Sequence, residues 1–132
     1  MVPNKLEVSW VDGDRYAVQV GAHRLYVDQP VGAGGTDMAP TPTELLIASL
    51  AACVAYYGGR FLARHGIERS GLRVVSEYEW ATAPARVGRI RLHVTPPAQM
   101  PEPLRPALHA VVTHCSVHNT LESKPTVIID ID

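Results

Sequence analysis

The stretch TPTELLIASLAACVAYY, residues 41–57, is the most apolar part of the chain and decides the fold. It opens with Thr-Pro-Thr-Glu at residues 41–44, which is the pattern of a capping box with proline at the first helical position. The apolar run then continues on nearly all sides, and Gly66 supplies a stop signal. The sequence therefore predicts one long buried helix that carries Cys53 near its middle.

Alternating apolar residues before this helix predict three antiparallel strands. The turn Asp12-Gly13-Asp14 separates the first two, and the third is expected over residues 23–27. A glycine-rich segment, VGAGGTDMAP at residues 31–40, leads into the helix. It contains neither GxGxxG nor GxxxxGK[ST], so we expect no nucleotide site.

The rest of the chain alternates between strand and helix patterns, which predicts an α+β fold in one domain over residues 1–132. The expected order is βββ-α-ββ-αα-β. The later elements are two strands over residues 72–82 and 86–94, a helix that ends near His114, a short helix through Leu121, and a last strand over residues 126–131.

Charge and composition narrow the class of protein. The chain of 132 residues has a formal net charge of −1, and its 12 basic residues are dispersed, so we expect neither nucleic acid nor a membrane as partner. We also find no signal-peptide pattern at the N-terminus and expect a cytoplasmic protein. Its two cysteines should then be reduced thiols, which pair only transiently if at all.

Cys53 lies in apolar surroundings, where the pKa of a thiol rises unless a cation or a hydrogen-bond donor compensates. Its neighbours along the chain carry no charge. Tyr57, one helical turn later, could donate to the sulfur, whereas Arg60 lies about 10 Å further along the axis. The other interpretation is that Cys53 is only a small buried apolar residue.

Cys115 has a different local environment. At the start of a short helix it would meet free backbone N–H groups, and His114 and His118 could add positive charge. From local sequence alone, Cys115 is the better thiolate. A structural core thiol is again the alternative, and a zinc site made by both cysteines and both histidines is a third hypothesis.

Two segments together resemble the paired signatures of the OsmC/Ohr family of thiol-dependent peroxidases. They are GGTDMAPTPTELLIASLAAC at residues 34–53 and CSVHNTL at residues 115–121. The resemblance implies the OsmC-like fold, with an antiparallel sheet and a long central buried helix. It also implies an intertwined homodimer with two equivalent active sites at the subunit interface.

The same resemblance implies a chemistry. Cys53 would be the peroxidatic thiol that a hydroperoxide oxidises to a sulfenic acid, and Cys115 would be the resolving thiol that forms a disulfide with it. A dithiol donor would reduce that disulfide. We find no motif for a cofactor or a metal, so we expect neither.

In the family, an arginine and a glutamate accompany the peroxidatic cysteine, and Arg24 and Glu44 are the candidates here. The family's glutamate position falls on Thr43. Glu44 lies about 13 Å from Cys53 along the helix axis and half a turn out of phase, so a cap role competes with a catalytic one. Arg24 could equally be a solvated strand residue.

The predicted function is thiol-dependent reduction of organic, and also inorganic, hydroperoxides. The alternative is a non-enzymatic protein of the same fold that binds a small apolar ligand at the dimer interface, with the cysteines vestigial or sensory.

Overall fold

The structure is a computed structural model that describes residues 4–132. The chain forms two compact units, the first ending at Leu46 and the second running from Ile47 to Asp132. The single domain expected over residues 1–132 stays a prediction.

The first unit contains a three-stranded antiparallel meander. Its strands are β1 (Glu7–Asp12), β2 (Arg15–Val20) and β3 (His23–Val27), hydrogen-bonded in that order. All three strands were predicted from the alternating pattern. The segment Asp12-Gly13-Asp14 forms the tight reversal between the first two, with Gly13 at a positive φ of 48°.

A buried carboxylate organises the glycine-rich loop that follows β3. Asp28 is only 1% exposed, and its side chain accepts hydrogen bonds from the backbone N–H groups of Gln29 and Met38 and from the Thr36 hydroxyl. These bonds satisfy the charge that burial would otherwise penalise. They hold the loop, which includes a 3₁₀ turn over Val31–Ala33, in one conformation.

The long helix α1 spans Pro42–Arg64 and confirms the predicted start. The Glu44 carboxylate accepts the Thr41 N–H at 2.9 Å, and the Thr41 hydroxyl accepts the Glu44 N–H at 3.1 Å, which completes the capping box. By length and composition alone this helix could also cross a membrane, a test that core helices of soluble proteins pass as well. Leu50, Val54 and Phe61 are among its buried residues.

The second unit packs the rest of α1 against a two-stranded antiparallel sheet and two helices. The strands are β4 (Arg73–Ala81) and β5 (Arg86–Thr95). A 3₁₀ turn at Glu102–Leu104 leads into α2 (Arg105–Val112), and α3 (Ser116–Glu122) follows. The buried core of this unit consists of Leu50, Val54, Phe61, Leu62, Met100, Leu108, Val112 and Cys115.

The expected last strand is not formed. The segment after α3 has no helix or strand, so the observed order is βββ-α-ββ-αα, with two antiparallel sheets. Its apolar side chains are 75–93% exposed at Val127, Ile128, Ile129 and Ile131. A strand exists only as part of a ladder, and the described chain gives this segment no strand to pair with.

Candidate active site

The two cysteines, far apart in sequence, come together in the second unit. Cys53 is half-buried on α1, and Cys115 is fully buried directly before α3. The Cys115 side chain lies close enough to Cys53 to lower its pKa by hydrogen bonding. The hydroxyl of Ser116 also lies 3.6 Å from that sulfur. The start of α3 therefore presents several donors to one sulfur atom.

Cys115 holds its position because it is the N-cap of α3. Its backbone is extended, with φ −73° and ψ 156°, and its sulfur accepts the backbone N–H of His118 at 3.3 Å. This is the geometry in which polar cap side chains satisfy one of the free N–H groups of a first helical turn. The fold thus fixes the Cys115 sulfur beside Cys53.

Hydrogen bonds lower the pKa of Cys53 overall. Burial raises this pKa, but the backbone N–H of Val117, the Ser116 hydroxyl, the Cys115 thiol and the backbone N–H of Ser116 together outweigh burial. Each donor favours the charged sulfur, which can only accept. All these donors are neutral.

The pKa of Cys115 is raised. Burial is the largest cause, and the neighbouring Cys53 raises the pKa further through the shared hydrogen bond and through its charge. The backbone N–H groups of His118 and Val117 offset part of the rise. The expectation that Cys115 is the better thiolate was therefore wrong, because full burial and the proximity of Cys53 are tertiary features that local sequence does not show.

The two α1 residues considered for stabilising the Cys53 thiolate, Arg60 and Tyr57, make other contacts. Arg60 donates to the Tyr56 hydroxyl at 2.9 Å, and its guanidinium lies 5.8 Å from the centre of the Tyr56 ring. Tyr57 packs against the core cluster, with its ring edge-on to that of Tyr56. The donors to Cys53 come instead from the start of α3.

Glu44 and Arg24 both lie in the first unit. Glu44 makes the capping bond to Thr41 described above, which gives its carboxylate a structural role. Arg24 is exposed on β3, opposite Gln19 of β2. Their catalytic roles stay predictions.

The ring of His118 contacts a carboxylate and not the Cys115 sulfur. The ring of His118 lies on the Glu122 carboxylate, with Nε2 and Oε1 3.2 Å apart, and only its backbone N–H reaches Cys115. The backbone carbonyl of His114 accepts a bond from the Asn119 side chain. Across residues 4–132, no three His, Cys, Asp or Glu side chains group together as metal ligands would.

Sequence reasoning missed Ser116. Its proximity to Cys53 follows from the pairing of the two cysteine motifs, since it directly follows Cys115. The available signal was the place of Ser116 in the segment CSVHNTL, which resembles the second signature of the family. Its hydroxyl directly follows the cysteine of that segment.

A cavity of about 360 Å³ lies in the second unit between α1, β5, α2 and α3. One residue of its wall, Val54, directly follows Cys53 on α1. The apolar part of the wall consists of Val54, Leu92, Val94, Leu108 and Val112. Arg105, His109 and His118 add polar groups. This volume and lining suit a small ligand that is mostly apolar.

The fold and the two facing thiols define a class of α+β proteins with a paired-cysteine site. A family model described as OsmC-like protein matches residues 34–130, which includes both cysteine segments. The chain belongs to the OsmC-like protein family. No curated protein sequence is significantly similar to the chain.

Solved structures share the fold. An OsmC-like protein from Mycoplasma pneumoniae is similar with a TM-score of 0.77 at 18% identity, covering 93% of this chain and 89% of that one. A Psychrobacter arcticus 273-4 protein, provisionally described as an osmotic stress induced and detoxification response protein, has a TM-score of 0.81 at 20% identity, with coverages of 91% and 89%.

A third structure is from Legionella pneumophila, where the protein is described as an organic hydroperoxide resistance protein OsmC and a predicted redox protein. Its TM-score is 0.61 at 18% identity, and the match covers 92% of this chain and 90% of that one. The OsmC-like α+β fold expected from the two signatures is confirmed.

Proposed function

We propose that this chain is a redox protein of the OsmC family, and specifically a thiol-dependent peroxidase that reduces organic hydroperoxides. The observation that carries the proposal is the Cys53–Cys115 pair, in which adjacent sulfurs have opposite pKa shifts. A peroxidatic sulfur must be a thiolate at neutral pH, whereas a resolving sulfur need only be close. The half-buried Cys53 suits the first role and the buried Cys115 suits the second.

The reaction follows from these positions. The Cys53 thiolate attacks one oxygen of the O–O bond, which breaks; the sulfur becomes a sulfenic acid, and the other oxygen leaves as an alcohol after taking up a proton. The Cys115 thiol then condenses with the sulfenic acid, forming a disulfide and releasing water. A dithiol donor reduces the disulfide and is itself oxidised to a disulfide.

The proposal includes a homodimer and a cytoplasmic location. The exposed apolar segment at Val127, Ile128, Ile129 and Ile131 supports self-association, because contiguous exposed apolar residues usually mark a contact surface. Two free cysteines that cycle through a transient disulfide suit a reducing compartment. Within the dimer, Arg24 is proposed to orient the hydroperoxide, and Glu44, which also caps α1, stays a candidate for the same site.

The direct test is turnover of cumene hydroperoxide or tert-butyl hydroperoxide with dithiothreitol as the dithiol donor. We expect the wild-type protein to consume the peroxide and Cys53→Ser to consume none above background. Ala63→Ser, which changes an exposed residue of the same helix, is the matched control and should retain turnover. Equal rates for wild type and Cys53→Ser would overturn the proposal.

The cavity beside α1 favours a second candidate, a non-enzymatic protein that binds a small apolar ligand. In that case the protein would show no peroxide turnover, and an apolar fluorescent probe such as 8-anilinonaphthalene-1-sulfonate would bind to the folded protein. Val112→Trp would fill the cavity and abolish that binding. Turnover that depends on Cys53 would exclude this candidate as the sole function.

A further inference from the structure

The Ser116 hydroxyl has a defined place at the candidate active site. Its oxygen lies 3.6 Å from the Cys53 sulfur, and Ser116 is the first residue of α3, directly after the Cys115 cap. The N-cap bond between the Cys115 sulfur and the His118 N–H fixes the backbone on both sides of this serine. The hydroxyl is therefore held near Cys53 by the fold.

The direction of this hydrogen bond depends on the charge of the sulfur. A thiol and a hydroxyl can each donate to the other, but a thiolate has no proton and can only accept. Ionisation of Cys53 thus makes the Ser116 hydroxyl the donor. A hydrogen bond that exists fully only with the charged form stabilises that form.

We propose that Ser116 is a positioning residue of this site: its hydroxyl donates to the Cys53 sulfur and holds it as the nucleophilic thiolate. The inference rests on the proposed function only for what the thiolate reacts with. The formation of the Cys53 thiolate does not depend on that function. It assigns to a neutral side chain part of the task that a cation performs in many reactive cysteine sites.

The other ionisable groups near Cys53 are accounted for. Directly before α3, Cys115 lies next to the sulfur, and on α3 the His118 ring contacts Glu122 instead. On α1 itself, the Arg60 guanidinium is bound to the Tyr56 hydroxyl. The pKa of Cys53 is therefore set by burial and by neutral hydrogen-bond donors. Ser116 supplies the side-chain hydroxyl among these donors.

The test measures thiolate formation without any peroxide. The rate of iodoacetamide alkylation at Cys53 is followed from pH 5 to pH 10 and resolved from Cys115 by peptide mass spectrometry. The variants are Ser116→Ala, which removes the hydroxyl, and Ser116→Thr, which restores it. Ser123→Ala, at the exposed far end of α3, is the matched control.

We expect Ser116→Ala to shift the alkylation profile upward by about one pH unit, so that the rate at neutral pH falls about tenfold while the high-pH limit is unchanged. Ser116→Thr should stay within about twofold of wild type, and Ser123→Ala should match it. The shift should persist in about 1 M salt, because a neutral donor is not screened as a cation is. Far-UV circular dichroism verifies that each variant is folded.

Coincident profiles for wild type and Ser116→Ala would overturn the inference. So would equal shifts in Ser116→Ala and Ser116→Thr, because the serine would then act only through packing. Failure of the peroxidase proposal is separate, since the wild-type protein would then show no peroxide turnover while Ser116→Ala still shifts the alkylation profile. An unfolded Ser116→Ala leaves the comparison to Ser116→Thr, which must retain the wild-type profile for the inference to stand.

Discussion

The sulfur of Cys115 accepts the backbone N–H of His118 at 3.3 Å, so the proposed resolving thiol is also the cap of α3. Cysteine is an unusual cap, because its sulfur accepts hydrogen bonds only weakly. The same side chain also lowers the pKa of Cys53 by hydrogen bonding. One sulfur therefore serves both the helix and the site.

The cap role predicts different stabilities for two substitutions of Cys115. Cys115→Ser retains an acceptor for the His118 N–H, whereas Cys115→Ala removes it and should be less stable than Cys115→Ser by about 1 kcal/mol. Urea denaturation followed by circular dichroism measures the difference. Equal stabilities would show that an acceptor at this N-cap position contributes nothing.

The buried carboxylate of Asp28 predicts a dependence of stability on pH. The backbone N–H of Met38, the Thr36 hydroxyl and the Gln29 N–H lower the pKa of Asp28 in the folded state. A lowered folded-state pKa stabilises the fold above the unfolded value of about 3.9, and this contribution is lost as the pH falls through the folded-state value.

Asp28→Asn should therefore be less stable than wild type at pH 7, and the gap should close below about pH 4. Urea denaturation at a series of pH values measures it. Asp130→Asn, at an exposed position after α3, is the control and should follow the wild-type curve. A gap that is constant with pH would mean that the charge of Asp28 is irrelevant.

The same loop predicts a contrast between two glycines. A Cβ at Gly35 would overlap the backbone carbonyl of Gln29 and approach the Asp28 carboxylate to 2.8 Å, whereas a Cβ at Gly32 meets nothing within 4 Å. Gly35→Ala should lower the free energy of unfolding by about 1–3 kcal/mol. Gly32→Ala should change it by less than about 0.5 kcal/mol. Similar effects of both substitutions would contradict the tight packing of the loop.

The proposed role of Arg24 predicts a loss of turnover. Arg24→Gln should lower kcat/KM for cumene hydroperoxide by about tenfold, which corresponds to about 1.4 kcal/mol of transition-state stabilisation. Arg91→Gln, which removes an exposed arginine of β5, is the matched control. If the two variants have the same kcat/KM, Arg24 is only a solvated strand residue.

The exposed apolar segment predicts a change of oligomeric state. Wild-type protein should elute as a dimer of the 14.3 kDa chain in size-exclusion chromatography with light scattering. The double variant Ile129→Lys/Ile131→Lys should be monomeric, because two charges would have to be buried in the contact. Thr126→Lys adds a charge without removing an apolar side chain and should remain dimeric. A dimeric double variant would place the contact elsewhere.

The elements that depend on local chemistry could be predicted from the sequence. The start of α1 followed from the spacing of Thr41 and Glu44, whose reciprocal bonds the structure confirms. The bounds of β3 were also correct, because Gly21 and Pro30 limit the strand on both sides. These signals lie within a few residues of the elements that they control.

The features that depend on distant residues could not be predicted in the same way. The pairing of Cys53 with Cys115 came only from the resemblance to a family, and their relative acidity was inverted by burial. The segment at residues 126–131 has a strand-like pattern, but a pattern cannot supply the neighbouring strand that a ladder needs.

Two of the groups that stabilise the ionised Cys53 are main-chain amides, those of Val117 and Ser116. Apart from replacement by proline, no exchange of side chains deletes an amide. The nucleophilicity of this sulfur therefore depends largely on the backbone conformation at the start of α3. Successive side-chain substitutions around the site should lower this nucleophilicity gradually, and a single one should seldom abolish it.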